Sequence, residues 1–559
     1  MRYHTLSTMC AIAAFCLPAA AFAQDGDYGD DTGDAPRGER SERGQRAERG
    51  VQINPYIEAS QIVVAELSPG DDVVTFSQIA VGVDASVTGR NNGGSVSLRY
   101  ERTIGYEDDS VDSGTLTGVA RGYATIVPNA LTVEAGALAA RTRVDANGGS
   151  TLNALAGDGS TSTIYSAYAG PNLHTSAGDV EINANYRIGY TKVDAPDAFV
   201  TVGGAVPVDA FDDSLSQSAA FHVGTRPGAP LPVGLGVGGG YNQEDISNFD
   251  QRLRDAYIRA DVTVPVSQSV ALVAGVGYED VEISSRDALL DINGDPVIGS
   301  DGRIVTDKSQ PRQLAYDVSG LIWDVGVVWR PSTRTSLEAH VGRRYDSTSY
   351  YGTFSWAPSS RTGVSVSVYD AISGFGSQLN NSLANLPTQF AATRNAVTGD
   401  LSGCVATTEG NNCLSGVLGS VRSATYRSRG IAASYSVNLG RTNAGIGAGY
   451  DRRTFIAAPG TILAAANGVQ DENYWVAFYL DGELGSNASF SANTYANWLE
   501  SGFSSTGDVL ALGASAAYRR QLFGGLSARA AIALDHLDSS QVDQDFTAAS
   551  ALLGLRYDF

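Results

Sequence analysis

The segment Leu526-Ser527-Ala528-Arg529-Ala530-Ala531-Ile532-Ala533-Leu534-Asp535 decides the fold. Leu526, Ala528, Ala530, Ile532 and Leu534 take every second position, with Ser527, Arg529 and Asp535 between them. A period of two sends neighbours to opposite faces of a strand, whereas a helix would scatter both sets around its axis. The same pattern recurs at Phe490, Ala492, Thr494, Ala496 and Trp498 against Ser489, Ser491, Asn493 and Asn497. It recurs again at Val96, Leu98, Tyr100 and Ile104 against Ser95, Ser97, Arg99 and Glu101.

Working outward, segments of this kind follow one another from Val51 to Phe559. Tight turns separate them at Arg90–Gly93, Pro128–Ala130, Ser176–Gly178, Arg226–Gly228, Arg330–Ser332, Arg441–Asn443, Ser486–Asn487 and Phe523–Gly525, and longer polar stretches lie between these turns. No apolar run after the first two dozen residues is long enough for a spanning helix, so a closed barrel is the remaining way to satisfy every backbone group in lipid. The sequence thus predicts an all-β, closed antiparallel transmembrane β-barrel of about 22 strands, with short periplasmic turns and long extracellular loops. The count falls to 20 or 18 if short segments such as Tyr350–Trp356 do not cross. Tyr106, Tyr190, Tyr241, Tyr278 and Tyr450 each follow a Gly where a strand enters a polar loop, and parity puts them on the lipid side, as in an interfacial aromatic girdle.

Residues 1–23 read as a secretory signal: Arg2, an apolar stretch from Met9 to Leu17, then Ala21 and Ala23 ahead of Gln24. Residues 24–50 read as a disordered periplasmic leader, acidic first and then mixed Arg and Glu. The barrel is expected over 51–559, in the outer membrane of a Gram-negative cell, among its lipids and lipopolysaccharide. A net charge of −22 argues against a nucleic-acid partner. Beyond the signal only Cys404 and Cys413 remain, in a polar, Gly-rich stretch; after export they read as one loop disulfide, the alternative being two free thiols. The longest insertion, about Asp370 to Ala424, carries this pair and is expected either over the barrel mouth or inside the lumen.

Parity assigns a candidate lumen wall: Arg99, Glu101, Arg121, Arg187, Arg259, Asp261, Asp324, Glu338, Arg344, Asp481, Glu483, Arg519, Arg529 and Asp535, with Glu134 and Glu181. A charged wall lines either an aqueous path or a salt-bridged interior. Arg outnumbers Lys 36 to 2, which suits bidentate contacts to phosphates or sugar acids, although genome base composition gives the same bias. The chain is not expected to be an enzyme or to carry a cofactor or metal. His174, His222, His340 and His536 join no nucleophile motif. Asp291-Ile292-Asn293-Gly294-Asp295 has oxygen ligands spaced as in a calcium loop, but Pro296 and Gly302 stand where Gly and Glu would be needed, so these residues read as a turn.

Leu553, Leu555, Tyr557 and Phe559 occupy alternate positions at the end of the chain. This segment resembles the C-terminal strand that outer-membrane barrels present to the barrel-assembly machinery, which implies an assembly signal. The stretches Ile53-Asn54-Pro55-Tyr56-Ile57-Glu58, Gly82-Val83-Asp84-Ala85 and Ser97-Leu98-Arg99-Tyr100-Glu101-Arg102 resemble uncharacterised alphaproteobacterial barrels of the exopolysaccharide/PEP-CTERM-associated type. The chain departs from TonB-dependent receptors, whose folded plug precedes the barrel, and from general porins, whose constriction loop comes early. The polar, mixed-charge wall and the long outer loops point to a pore, transport or export role for a small solute, and the resemblance implies an envelope polysaccharide as another cargo. The alternative is a non-transporting barrel that displays loops such as Asp370–Ala424 for adhesion or envelope organisation.

Overall fold

In the computed structural model, residues 50–559 are described, apart from 107–113, 145–149, 152–160, 195–210, 229, 301–302, 407–411, 419–420, 504–506 and 541–544. The signal and nearly all of the leader lie outside the described residues. One sheet contains 23 strands; the two-residue Ser150–Thr151 pairs only with the end of a longer strand, and the other 22 close a ring. We number the ring strands in chain order from β1 (Gly50–Ser68) and β2 (Val73–Thr88) to β22 (Phe546–Asp558). β1 pairs antiparallel with β2 on one side and β22 on the other, Tyr56 facing Asp558 and Val64 facing Ser550, so no edge is left unpaired. Ser347–Ser359, which includes Tyr350–Trp356, is a ring strand like its neighbours. The first ladder begins at Gly50.

Alternation fixes which face is which. In Leu526–Ser539, Ile532 is 65% exposed and Leu534 50%, while Ser527 and Asp535 are buried. In Asn92–Gly105, Ser95, Ser97, Arg99, Glu101 and Thr103 are buried while Tyr100 and Ile104 are exposed. Leu553, Leu555, Tyr557 and Phe559 all point outward, and the Tyr557 and Phe559 rings meet edge to face, with centroids 5.0 Å apart. Tyr106, Tyr190, Tyr241 and Tyr278 are exposed on the same outer face, and Tyr450 packs there against Tyr474. The outside is thus apolar with aromatics near one rim, as lipid requires.

The connections correct the expected asymmetry in one respect. At the end bearing the termini they are tight, with Gly178 at φ +63° and Gly524 at φ +53°, where a side chain would be strained. At the opposite end many are long, but residues 69–72, 247–250 and 345–346 turn within a few positions. Tyr345 and Asp346, at φ 55° and 51°, form the paired left-handed turn that matches strand twist. Tyr345 is held there because its hydroxyl donates to Asp255 at 2.9 Å and its amide to Glu279.

The described residues of 374–425 do not extend outward. Between the strands Thr362–Ser373 and Tyr426–Asn438, the chain enters the ring as α1 (Phe375–Ala384), a hairpin of Ala391–Arg394 with Leu401–Ala406, a short pairing at Asn412–Cys413, and α2 (Ser415–Leu418). Of the two places expected for the insertion, the structure takes the lumen. The backbones of Cys404 and Cys413 are directly paired across its ladder.

Candidate functional site: the filled lumen

Three kinds of contact hold the insertion. The first is apolar. Phe375, Leu379 and Leu383 of α1, with Val417, Leu418 and Val421, pack against Val119, Leu138, Ile164, Val193 and Ile246 of the wall. Lower down, Val397 packs with Ile62, Phe76 and Leu552. Burying a large aliphatic side chain contributes about 1.5–3 kcal/mol, so this face alone sets a strong preference for docking.

The second is a wall carboxylate at the start of α1. Glu244 is completely buried, and it accepts the amides of Gly374 at 2.8 Å and Ser377 at 3.0 Å and the Ser214 hydroxyl at 2.9 Å. The amides that open a helix lack intrahelical partners and carry partial positive charge, so a strand residue completes this helix. One turn on, Asn380 accepts from Ser166 at 2.9 Å and donates toward Thr191 and Ser216 at 3.3 and 3.1 Å. A Cβ on Gly189 would sit 2.4 Å from that pinned amide. Gly189→Val should therefore weaken docking by about 1–3 kcal/mol through overpacking, read as faster hydrogen exchange in Phe375–Ala384 while the strand ladder stays protected.

The third is an ion-pair chain that runs from the wall into the insertion. Arg529 pairs with Glu58 at 2.8 Å, Glu58 with Arg99 at 3.1 Å, Arg99 with Glu101 at 3.1 Å, Glu101 with Arg141 at 2.8 Å, and Arg141 with Asp400 at 3.0 Å. Three cations meet three anions, and nearly all are excluded from solvent. Further contacts fix the hairpin from wall strands on either side of the β1–β22 seam. Ser95 donates to the Thr388 carbonyl at 2.9 Å, Arg394 to Ser97 at 3.1 Å and to Thr117 at 2.9 Å, and Ser515 accepts the Ala396 amide at 3.2 Å.

The other candidate wall residues form lateral networks. Arg121 and Arg187 share Glu134 at 3.2 and 3.0 Å, and Arg187 also reaches Asn381 of α1 at 3.1 Å. Arg344 binds Asp255 at 2.6 Å and Glu279 at 3.1 Å beneath the Tyr257 ring. Arg259 spans Asp324 at 2.6 Å and Asp261 at 3.2 Å; His340 lies between Asp324 and Glu338 at 2.8 and 3.3 Å, stacked on Tyr351, and His222 reaches Asp261 at 3.1 Å. Glu181 pairs with Arg226, Arg519 with Asp558, and Asn443 donates to Asp481 at 3.0 Å. Asp535 is buried opposite Gly513. Glu483 borders a chamber described below.

Solvent divides these networks. The Glu338 and His222 side chains, toward the end of the tight turns, are 47% and 45% exposed although they face inward. Arg141, Glu101 and Asp400, deeper and against the insertion, are at most 5% exposed. The insertion therefore fills the lumen toward the long-loop end and leaves a wet vestibule toward the termini. Outside the membrane, Asp291 accepts the Asp295 amide at 3.0 Å and the Asn293 amide at 2.8 Å, which hold its carboxyl below the usual range. Its oxygens serve their own turn, and among the described residues no group of His, Cys, Asp or Glu is arranged to hold a metal.

Sequence parity offered a candidate charged wall and did not single out Glu244, Asn380, Asp400 or the inward apolar residues. A signal for the last was present: Leu131–Val144 is apolar on both faces at Val133, Ala135, Ala137, Leu138 and Ala140, which a solvated lumen would not favour.

No family model matches the sequence, and no curated protein matches it. Solved structures similar to the chain include the FrpB iron transporter from Neisseria meningitidis, 10% identical with a TM-score of 0.41 over 90% of this chain and 81% of that one. The ferric-catecholate import receptor Fiu from E. coli K12 is 10% identical with a TM-score of 0.40, over 92% and 82%. The alcaligin outer-membrane receptor FauA from Bordetella pertussis is 11% identical with a TM-score of 0.37, over 90% and 76%. At these scores the likeness carries nothing about function. The ring's own closure and apolar exterior are those of a Gram-negative outer-membrane protein. The chain is an outer-membrane β-barrel whose lumen is occupied by its own late insertion.

Proposed function

We propose that this barrel is a gated transport or export channel in which residues 374–425 are the gate. The observation that carries this reading is the wet vestibule ending on a segment joined covalently to the ring only at its two ends and held elsewhere by side-chain contacts. A barrel that merely displays loops needs no lumen wide enough to house a helix and a hairpin, since small barrels fill with their own wall side chains. A small solute fits the vestibule with the gate in place, whereas an envelope polysaccharide, the cargo implied by the sequence resemblance, requires the gate to move. Flux of sized solutes into liposomes containing the full-length protein tests this: passage must depend on the state of the insertion.

The display alternative loses its first candidate, because the described residues of 374–424 lie inside the ring. It keeps another in the outer loop 286–312, which is ordered by bridges from Ala288 to Thr306, Leu290 to Pro296 and Ile298 to Ile304 and carries Ile292 fully exposed at its tip. Deleting residues 289–305 should abolish surface binding if display is the role and leave flux unchanged if transport is.

The gate reading includes a disulfide between Cys404 and Cys413, since export passes through an oxidising compartment and the two backbones are paired. Alkylation of the denatured, unreduced protein should find no free thiol, and reduction should expose both. Two thiols without reduction would remove the crosslink from the account.

A further inference from the structure

We propose that the vestibule contains a binding site for a phosphate- or carboxylate-bearing anion, reached from the periplasmic side while the gate is docked. A cavity of about 700 Å³ lies between the hairpin strand Ala391–Arg394 and the rim turn at Arg441. Six arginines line it: Arg99, Arg394, Arg441, Arg519, Arg529 and Arg556. Only three carboxylates do, Asp84, Asp481 and Glu483. Asp481 already accepts from Asn443, and Asp84 is 3.8 Å from Arg556.

Among the described residues, two of the arginines have no carboxylate within ion-pair distance, and Asp84 and Asp400 act on Arg394 only from farther away. Among the described residues Arg394 forms no ion pair; its guanidinium donates to Thr117, to Ser97 and to the Gly399 carbonyl, all uncharged. Among the described residues Arg441 makes no side-chain hydrogen bond or ion pair, and its backbone carbonyl, which accepts the Glu483 amide at 2.9 Å, holds the rim turn in place. Arginine forks match carboxylate and phosphate oxygens, and a cation half-removed from water gains most from such a partner. Phe490 supplies flat apolar surface for the rest of an organic anion, and Arg556, packed 3.6 Å above the buried Tyr56 ring, is held in place beside it.

The site is present with the gate in place, so binding is measurable even if the gate never opens. The experiment is calorimetric titration of the full-length barrel in detergent with pyrophosphate, with citrate and with the neutral sugar trehalose, repeated on Arg441→Gln and Arg394→Gln. Each arginine lost should weaken binding about tenfold or more. Saturable binding of pyrophosphate alone identifies a phosphate site, and of citrate alone a carboxylate site; weakening in Arg441→Gln, which is exposed and holds no part of the gate, places it in this chamber. No saturable binding of either anion, trehalose binding as tightly, or affinities unchanged in both variants overturns the proposal.

Discussion

Removing residues 375–424 and joining the flanking strands with a short flexible linker should turn a silent barrel into one with large, stable conductance steps in planar bilayers. The ring ladders do not depend on the insertion, since Thr362–Ser373 pairs with Tyr426–Asn438 along its whole length, from Thr362 opposite Val437 to Ser373 opposite Tyr426. What the deletion removes is the segment that spans from Glu244, which holds the start of α1 on one side of the lumen, to Ser515, which holds Ala396 on the other. The inward apolar residues Val119, Leu138, Ile164 and Val193 would then face water. At about 1.5–3 kcal/mol each, their exposure should lower the thermal midpoint of the deletion variant even as it conducts. A deletion variant that folds and stays silent would mean that the wall itself closes the lumen.

Asp400→Ala should have the largest effect of any single substitution in the gate. The chain Arg529, Glu58, Arg99, Glu101, Arg141 and Asp400 is balanced only with Asp400 in place. Its loss leaves one uncompensated cation where water is excluded, and breaking a buried pair in this way costs about 3–5 kcal/mol. The favoured response is for the hairpin to leave and let Arg141 hydrate. We expect frequent channel openings and proteolytic cleavage within the insertion, both absent from the wild-type protein. The paired change Arg141→Met with Asp400→Leu removes both charges and should restore most of the docked state, because an apolar pair of similar volume avoids the desolvation penalty. If the double variant were as open as the single one, the latch would rest on something other than charge balance.

The barrel was legible in the sequence because a strand's period is short and local: Leu526–Asp535 declares its two faces without reference to any other segment. The turns were nearly as legible, but Val266–Ser269 and Ser360–Arg361 carry no Asn-Gly or Pro signal and were not singled out. Parity also offered candidate charges for the wall, but not their partners. Arg141 meets Asp400 and Glu244 meets Gly374 across more than a hundred positions of chain, and no local pattern encodes such a meeting. The fate of the insertion was hidden for the same reason, since its own residues fit a loop outside as well as one inside. The deciding information lay in the wall, where Val119, Leu138 and Ile164 are apolar on a face that a water-filled lumen would keep polar.

The most direct test of the gate is a crosslink between Ser95→Cys and Thr388→Cys, in a background of Cys404→Ser and Cys413→Ser, in cells that assemble the barrel in their outer membrane. Ser95 donates to the Thr388 carbonyl at 2.9 Å. A docked gate should give efficient oxidative crosslinking of the folded barrel, which holds the Asp400→Ala variant shut until a reductant is added. Absence of the crosslink, with residue 388 freely labelled by a membrane-impermeant maleimide added outside the cells, would contradict it by placing the insertion on the surface.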